Sequence, residues 1–195
     1  MAKPSLLPLL FLFYITGSAI YATAAPVQTS NFIKSSCRAT TYPAVCIQSL
    51  SSYASNIKQD PHQLAITALS VSLDRAQSAK TFVSKMNKFK GLKKREYAAI
   101  KDCFEEMGDS VDRLTESIKE LKGVGKRKGK DFLWHMSNVQ TWVSSAITDE
   151  NTCLDGFSGR TMNGKIKASV RARVLDVARV TSNALALCNQ LAAKN

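Results

Sequence analysis

The sequence lacks the groupings of side chains that most enzymes use for chemistry. It contains only two histidines, His62 and His135, which lie far apart and form no ligand-spaced pair. It also lacks a glycine-rich phosphate-binding loop, a Gly-x-Ser-x-Gly elbow and a cysteine–histidine nucleophile pair. We therefore expect no catalytic residue, no metal site and no cofactor, and we expect both histidines to be surface or helix-start residues.

Acidic residues are scarce as well. The chain has 27 Lys and Arg residues against 15 Asp and Glu residues, a formal net charge of +12. In the cytosol or nucleus this balance would suggest nucleic acid as a partner. In an exported protein, the matching polyanions are cell-wall or matrix polysaccharides, anionic lipids and acidic protein surfaces.

The N-terminus predicts export. Lys3 precedes an apolar run from Leu6 to Ile20, and Ala22-Thr23-Ala24 has the small-x-small pattern that signal peptidase cleaves. The alternative, a membrane anchor, is disfavoured because the run is short for a bilayer span of ~20 residues. We predict a signal peptide at residues 1–24 and one mature domain at residues 25–195, with no further membrane segment.

The rest of the chain lacks strand-like alternation from Pro61 to Asn195 and shows helical periodicity instead. Asp60-Pro61 is a helix start, and Gly91, the Gly123–Lys130 break and Gly156 separate the helices. The expected long helices are 61–89, 93–122, 131–155 and one from about residue 166. This pattern predicts an all-α, up-down-up-down four-helix bundle over residues 60–195, preceded by a helical hairpin at residues 25–58.

The apolar residues of the two central helices identify the expected core. On the second helix, eight of them recur at steps of three and four and therefore share one stripe: Tyr97, Ile100, Phe104, Met107, Val111, Leu114, Ile118 and Leu121. The third helix continues with Phe132, Met136, Val139, Val143 and Ala146.

The five cysteines predict disulfides, because an oxidising compartment favours them over metal or redox sites. Cys103 and Cys153 lie at similar distances from the break between the second and third helices, so an antiparallel pair brings them to one level. Cys37 and Cys46 flank a short turn and suggest a local loop. Cys188 is left over, either as a buried free thiol or as half of an intermolecular disulfide.

Several runs of this sequence closely resemble the plant pectin methylesterase inhibitor family. The most specific are SNVQTWVSSA at residues 137–146 and TDENTCLDGF at residues 148–157. Further matches are Lys101-Asp102-Cys103 with its preceding residues, the Cys37-to-Cys46 spacing around Tyr42-Pro43, and Ser182–Ala186. The resemblance covers essentially the whole mature chain.

The resemblance implies a secreted, non-enzymatic inhibitor of the plant cell wall, or apoplast. Such a bundle with two disulfides would form a one-to-one complex with pectin methylesterase and cover its pectin-binding cleft. It also implies a contact face on the second and third long helices, beside the two cysteines. Carried onto this chain, the expected partner-binding residues are Thr152, Asp155, Glu105, Asp109 and Asp112.

Two alternatives stay open. A sister branch inhibits invertases with a Pro-Lys-Phe element between the second and third long helices, where this chain has Lys130-Asp131-Phe132. A different class of function is a basic wall protein that binds acidic pectin directly through Lys126, Arg127, Lys128 and Lys130. The simpler interpretation of that cluster is a favourable contact with a helix C-terminus.

Overall fold

The computed structural model describes residues 25–89, 91–125, 127–159 and 164–194. The predicted signal peptide lies outside the described residues. Three short helices and one 3-10 turn precede four long helices: α1 Ala25–Cys37, α2 Pro43–Leu50, the turn Ser51–Tyr53, α3 Ala54–Ile57, α4 Pro61–Met86, α5 Lys94–Val124, α6 Gly129–Gly156 and α7 Lys165–Ala192. No described residue is in a strand.

The long helices begin and end close to the predicted residues, for local reasons. The Asp60 side chain accepts a hydrogen bond from the His62 N–H, and Pro61 occupies the first turn of α4. Glu96 accepts the Lys93 N–H at the start of α5. After α5, Gly125 has φ +55°, a conformation that glycine adopts without steric cost.

The four long helices form the predicted antiparallel bundle. α5 packs against α4 and α6, and α7 packs against α4 and α6, so the four helices close around one core. The fully buried side chains include Leu69, Ile100, Met107, Leu114 and Met136. The all-α, four-helix prediction is confirmed, and the core lies along the whole length of the bundle.

The N-terminal hairpin rests on α7, near its C-terminal end. The Asn183 side chain accepts the Tyr42 N–H at 2.8 Å and donates to the Tyr42 carbonyl at 2.9 Å. Gln190 donates to the Ser36 carbonyl. The Cys37–Cys46 disulfide closes the turn between α1 and α2. These bonds attach the hairpin by its turn, on the α7 side of the bundle.

The cysteines pair as the sequence predicts. A second disulfide joins Cys103 of α5 to Cys153 of α6, with Cα atoms 4.3 Å apart. Cys188 is a free, fully buried thiol on α7.

One part of the predicted core is wrong. Tyr97, placed on the α5 stripe, is 53 % exposed, whereas Ala99 and Ile100 are buried. α6 ends at Gly156, beside Ala99, so the partner helix stops before it reaches the level of Tyr97. None of the described helices is both long and apolar enough to cross a bilayer.

Candidate protein-binding face

The α5 residues named by the resemblance lie on one exposed surface of that helix. Glu105, Asp109 and Asp112 follow each other at steps of four and three, which places their side chains on the same face. Asp102 and Glu116 extend this row by one turn at each end, and all five are exposed. A lysine one turn back, Lys101, approaches Glu105 at 3.7 Å. The result is an acidic row on a basic protein.

The α6 residues named by the resemblance are also exposed. Thr152 donates its hydroxyl to the Thr148 carbonyl at 2.9 Å, and Asp155 lies one turn further along the same face. Between Ser137 and Thr148, α6 carries no charged residue. An open groove of about 390 Å³ follows this part of the helix, lined only by hydroxyl and amide side chains: Ser137, Gln140, Thr141, Ser144, Ser145 and Thr148.

The seam between α5 and α6 holds these two surfaces in a fixed relation. Cys103–Cys153 joins the helices covalently. Two turns away, the Ser110 hydroxyl donates to Glu150 at 2.9 Å, and Arg113 Nε donates to Asp149 at 2.8 Å. Because three cross-links act within about three turns of α5, they hold the two helices in a fixed register. We call Glu105, Asp109, Asp112, Thr152 and Asp155 together the α5–α6 face.

Carboxylates crowd this seam closely enough to influence one another. The pKa of Glu106 is raised, first by its partial burial and then by the negative charges of Asp149 and Asp109. The pKa of Asp149 is raised by burial and by Asp109, against the opposing effect of Arg113. The structure therefore brings the α5 acids and the α6 seam into electrostatic contact. Thr152 lies beside them, and Asp155 lies one turn further along α6.

Glu150 is the most unusual group of the seam. It is fully buried between α5, α6 and α7, with Thr181 Oγ1 3.0 Å from the oxygen that accepts from Ser110. Its other carboxylate oxygen has no partner in the described chain. Burial raises the pKa of Glu150 to about 8, so the side chain is a neutral acid at lower pH.

His135 corrects the expectation of a surface histidine. Its side chain is only 15 % exposed, and Nδ1 lies 2.7 Å from Glu120 of α5. Asn138 donates to the same Glu120 oxygen at 2.9 Å. Hydrogen bonds from Asn138 and His135 lower the pKa of Glu120. This cluster joins α5 to α6 at the end of the bundle opposite the disulfide. His62, whose ring contacts the Leu121 carbonyl, is a helix-start residue as expected.

The basic turn between α5 and α6 is exposed. Arg127, Lys128 and Lys130 are all in solvent, and Lys126 lies outside the described residues. Arg127 contacts both His135 and Asp131. Within the described ranges, no three or more His, Cys, Asp or Glu side chains are placed to hold a metal ion.

Sequence reasoning missed Arg113, Asp149 and Glu150 as the polar links of the seam. A signal was present for one of them. Glu150 lies four residues after Ala146 and three before Cys153, so the helical period puts it on the core stripe. The Arg113–Asp149 pair joins two different helices, and its formation depends on how those helices pack, which the sequence alone does not give.

Comparison with known proteins decides the family. Residues 31–187 match the family model described as plant invertase/pectin methylesterase inhibitor. The chain belongs to this inhibitor family. Relatives at 40 % identity and above include several named pectinesterase inhibitor, and the chain is accordingly an inhibitor protein and not an enzyme.

Two similar relatives match this chain along nearly their whole length. The chain is 60 % identical over 176 residues to "21 kDa protein" of Daucus carota, covering 90 % of this chain and 91 % of the relative. It is 52 % identical over 193 residues to "Pectinesterase inhibitor 11" of Arabidopsis thaliana, covering 95 % and 96 %. A crystal structure of a mutant pectin methylesterase inhibitor from Arabidopsis shares the fold at 21 % identity, with a TM-score of 0.64, covering 78 % of this chain and 92 % of that one.

Proposed function

We propose that this protein is a secreted inhibitor of a plant cell-wall pectin methylesterase. It binds the enzyme one-to-one and covers the pectin-binding cleft with the α5–α6 face. Relatives named pectinesterase inhibitor support the proposal. It is also supported by the exposure of all five residues, three on one face of α5 and two on α6. Secretion follows from the predicted signal peptide, which the mature protein would have lost.

The observation that best supports this proposal is the set of links between α5 and α6, which hold the two helices of the α5–α6 face together. A surface held by a disulfide, an ion pair and a buried hydrogen bond loses little conformational entropy on binding, which favours a tight complex. No inhibitor group must titrate or react, since exclusion of the polymer from the enzyme's cleft is sufficient. Inhibition would then be competitive with pectin.

The test is an inhibition assay with two enzymes. The mature protein is titrated against a purified pectin methylesterase and, separately, against a purified acid invertase. We expect inhibition of the esterase only, because Lys130-Asp131-Phe132 lacks the proline of the invertase-directed element. Inhibition of invertase with no effect on several esterases would overturn the choice of target.

A second activity is proposed for the basic turn, namely retention on acidic pectin. Arg127, Lys128 and Lys130 are exposed at the end of the bundle opposite the Cys103–Cys153 disulfide. Replacing Lys126, Arg127, Lys128 and Lys130 by glutamine should weaken retention on polygalacturonate and leave esterase inhibition on soluble substrate unchanged. If inhibition is lost as well, the turn belongs to the inhibitory face.

A further inference from the structure

The first turns of α6 hold two large apolar side chains in solvent. Leu133 is 50 % exposed and Trp134 is 62 % exposed, although the preceding Phe132 is buried. Lys130 lies one turn before Trp134 and Ser137 about one turn after it, so helical geometry makes the three neighbours on one outer face. The exposed indole of Trp134 therefore lies on the same outer face of α6 as Lys130 and Ser137.

The charges around Trp134 are positive. Lys128 and Lys130 are exposed and form no ion pair with any described residue. The nearest acid on the helix, Asp131, already faces Arg127 at 3.6 Å and His135 at 3.5 Å. Lys130 lies one turn before the indole on the same face, and Lys128 lies just before the start of α6. Both lysines add positive charge at this end of the helix, and Arg127 partly offsets the negative charge of Asp131.

Past Trp134, the same face of α6 changes from aromatic and basic to hydroxyl-rich. The open groove from Ser137 to Thr148 begins within one turn of the indole and runs about 16 Å along the helix. Its lining offers hydroxyl and amide groups and no charge. Aromatic ring, cations and uncharged hydrogen-bonding groups therefore follow one another along a single strip.

We propose that this strip, formed by Lys128, Lys130, Trp134 and the hydroxyl groove, binds a chain of uronic acid residues such as de-esterified pectin. The proposal deepens the pectin-retention part of the proposed function and rests on it. The lysines pair with the sugar carboxylates, and the indole packs against the C–H face of a pyranose ring. The hydroxyl and amide groups exchange hydrogen bonds with the sugar hydroxyls.

The surface fits a polysaccharide better than a lipid bilayer. A helix that lies in a membrane surface needs an apolar face along several turns. Here the apolar part consists of Leu133 and Trp134, and the next turns of the same face carry Ser137, Thr141 and Ser144. Anionic vesicles are therefore the proper competing probe.

The indole end of the proposed strip lies at the start of α6, whereas the groove ends at Thr148, one turn before Thr152. Trp134 and Thr152 are 18 residues apart, about 27 Å along the helix axis. A polyuronate that binds at Lys128, Lys130 and Trp134 therefore leaves Thr152 uncovered, whereas one that fills the whole groove reaches the turn before Thr152. The inhibitor would then gather where the enzyme has already produced free carboxylates.

Tryptophan fluorescence tests the strip directly. The chain has two tryptophans, so Trp142→Phe leaves Trp134 as the only emitter. We expect a saturable blue shift when oligogalacturonide is added to this variant at low salt. Fully methyl-esterified oligogalacturonide should give a much weaker change, and anionic phospholipid vesicles should give none.

Affinity electrophoresis in gels that contain polygalacturonate provides a second measurement, with Trp142 intact. Trp134→Ala and Lys130→Gln should each weaken retention about fivefold or more. The matched controls are Phe89→Ala, whose aromatic ring is 54 % exposed at the other end of the bundle, and the exposed Lys85→Gln; both should bind as the parent does.

Three results would overturn the proposal: equal binding of methyl-esterified chains, binding of vesicles but not of oligogalacturonide, or equal retention of Trp134→Ala and Phe89→Ala. Esterase inhibition is measured on the same variants in soluble substrate. A failure to inhibit would count against the inhibitor function and would not change the binding result, so the two failures are distinguishable.

Discussion

The α5–α6 pair and the α4–α7 pair differ in both charge and attachment. α5 and α6 together carry twelve acidic and seven basic residues, whereas α4 and α7 carry two acidic and eight basic residues. The α5–α6 seam has a disulfide, an ion pair and a buried hydrogen bond. In the described chain, the α4–α7 seam has the Arg75–Asp176 pair and an arginine, Arg173, over the Phe82 ring.

This difference indicates that the two helix pairs have different roles in the bundle. The α4–α7 pair stabilises the fold by apolar packing. It also supports the N-terminal hairpin, whose helices contact α4 and α7 and whose turn is bonded to Asn183 of α7. The α5–α6 pair is fixed by strong links across its seam and presents acids and short hydroxyl side chains outward. Opposite charge on the two halves also gives the molecule a dipole, which can orient it as it approaches a charged enzyme.

The largest effect expected concerns the disulfide of the α5–α6 seam. Replacing Cys103 and Cys153 by serine should lower the free energy of unfolding by up to ~4 kcal/mol, because the bridge closes a 50-residue loop. The matched variant without Cys37 and Cys46, which close a nine-residue span, should lose less, roughly 2.5 kcal/mol. Urea denaturation measures both. An equal decrease in the free energy of unfolding for both variants would contradict the expectation that the larger loop gives the larger stabilisation.

The second prediction concerns pH and Glu150. Its folded pKa of about 8 exceeds the ordinary value of 4.5, so folding takes up a proton between these limits. This contribution to stability is complete below pH 4.5 and is lost as pH rises to about 8. Glu150→Gln should therefore flatten the decline and make the protein more stable than the parent at pH 8.

Thermal unfolding from pH 4 to pH 9 checks this prediction. Burial also raises the pKa of Asp149 and Glu106, so a weaker slope in the same direction should remain in Glu150→Gln. An unchanged slope in the variant would mean that Glu150 is ionised in the folded protein at neutral pH.

The third prediction sharpens the difference between the two outer surfaces. Thr152→Trp should weaken esterase inhibition at least about tenfold, some 1.4 kcal/mol, because the bulky ring prevents close approach. Thr81→Trp on α4, at an equally exposed position, should inhibit as the parent does. Circular dichroism should show equal helical content. Equal inhibition by both variants would place the contact face outside α6.

The smallest effect concerns the acidic row. Changing both Asp109 and Asp112 to asparagine should slow association with the esterase a few-fold at low ionic strength, because charge mainly affects the rate of encounter. The difference should shrink at high salt. Asp74→Asn on α4 removes an exposed acid from the other pair and should leave the rate unchanged. Stopped-flow or surface-plasmon measurements distinguish these outcomes.

The sequence predicted what depends on local periodicity and chain geometry. The ends of the long helices agree within a few residues, since Asp60-Pro61 and the Gly-rich break act locally. Cys103 and Cys153 could be paired because helix rise converts residue number into height. Thr152 and Asp155 were named as contact residues by the family resemblance, and both are exposed.

What could not be predicted depends on neighbours that are distant in sequence. Tyr97 continues the stripe of α5 perfectly, but its burial depended on how far α6 extends alongside. His135 gives no local sign of its contact with Glu120 across the seam. The two bonds of Asn183 to Tyr42 join residues 141 positions apart, and no spacing rule links them.

The buried Cys188 has a consequence for disulfide chemistry. Only a thiolate attacks a disulfide, and burial raises the pKa of Cys188 to about 12. In the folded inhibitor, this thiol is therefore inaccessible to solvent and stays protonated and unreactive at neutral pH. Cys188 can therefore exchange with a disulfide only before the chain has folded. Once the bundle has formed and buried this thiol, Cys37–Cys46 and Cys103–Cys153 are protected from exchange with it.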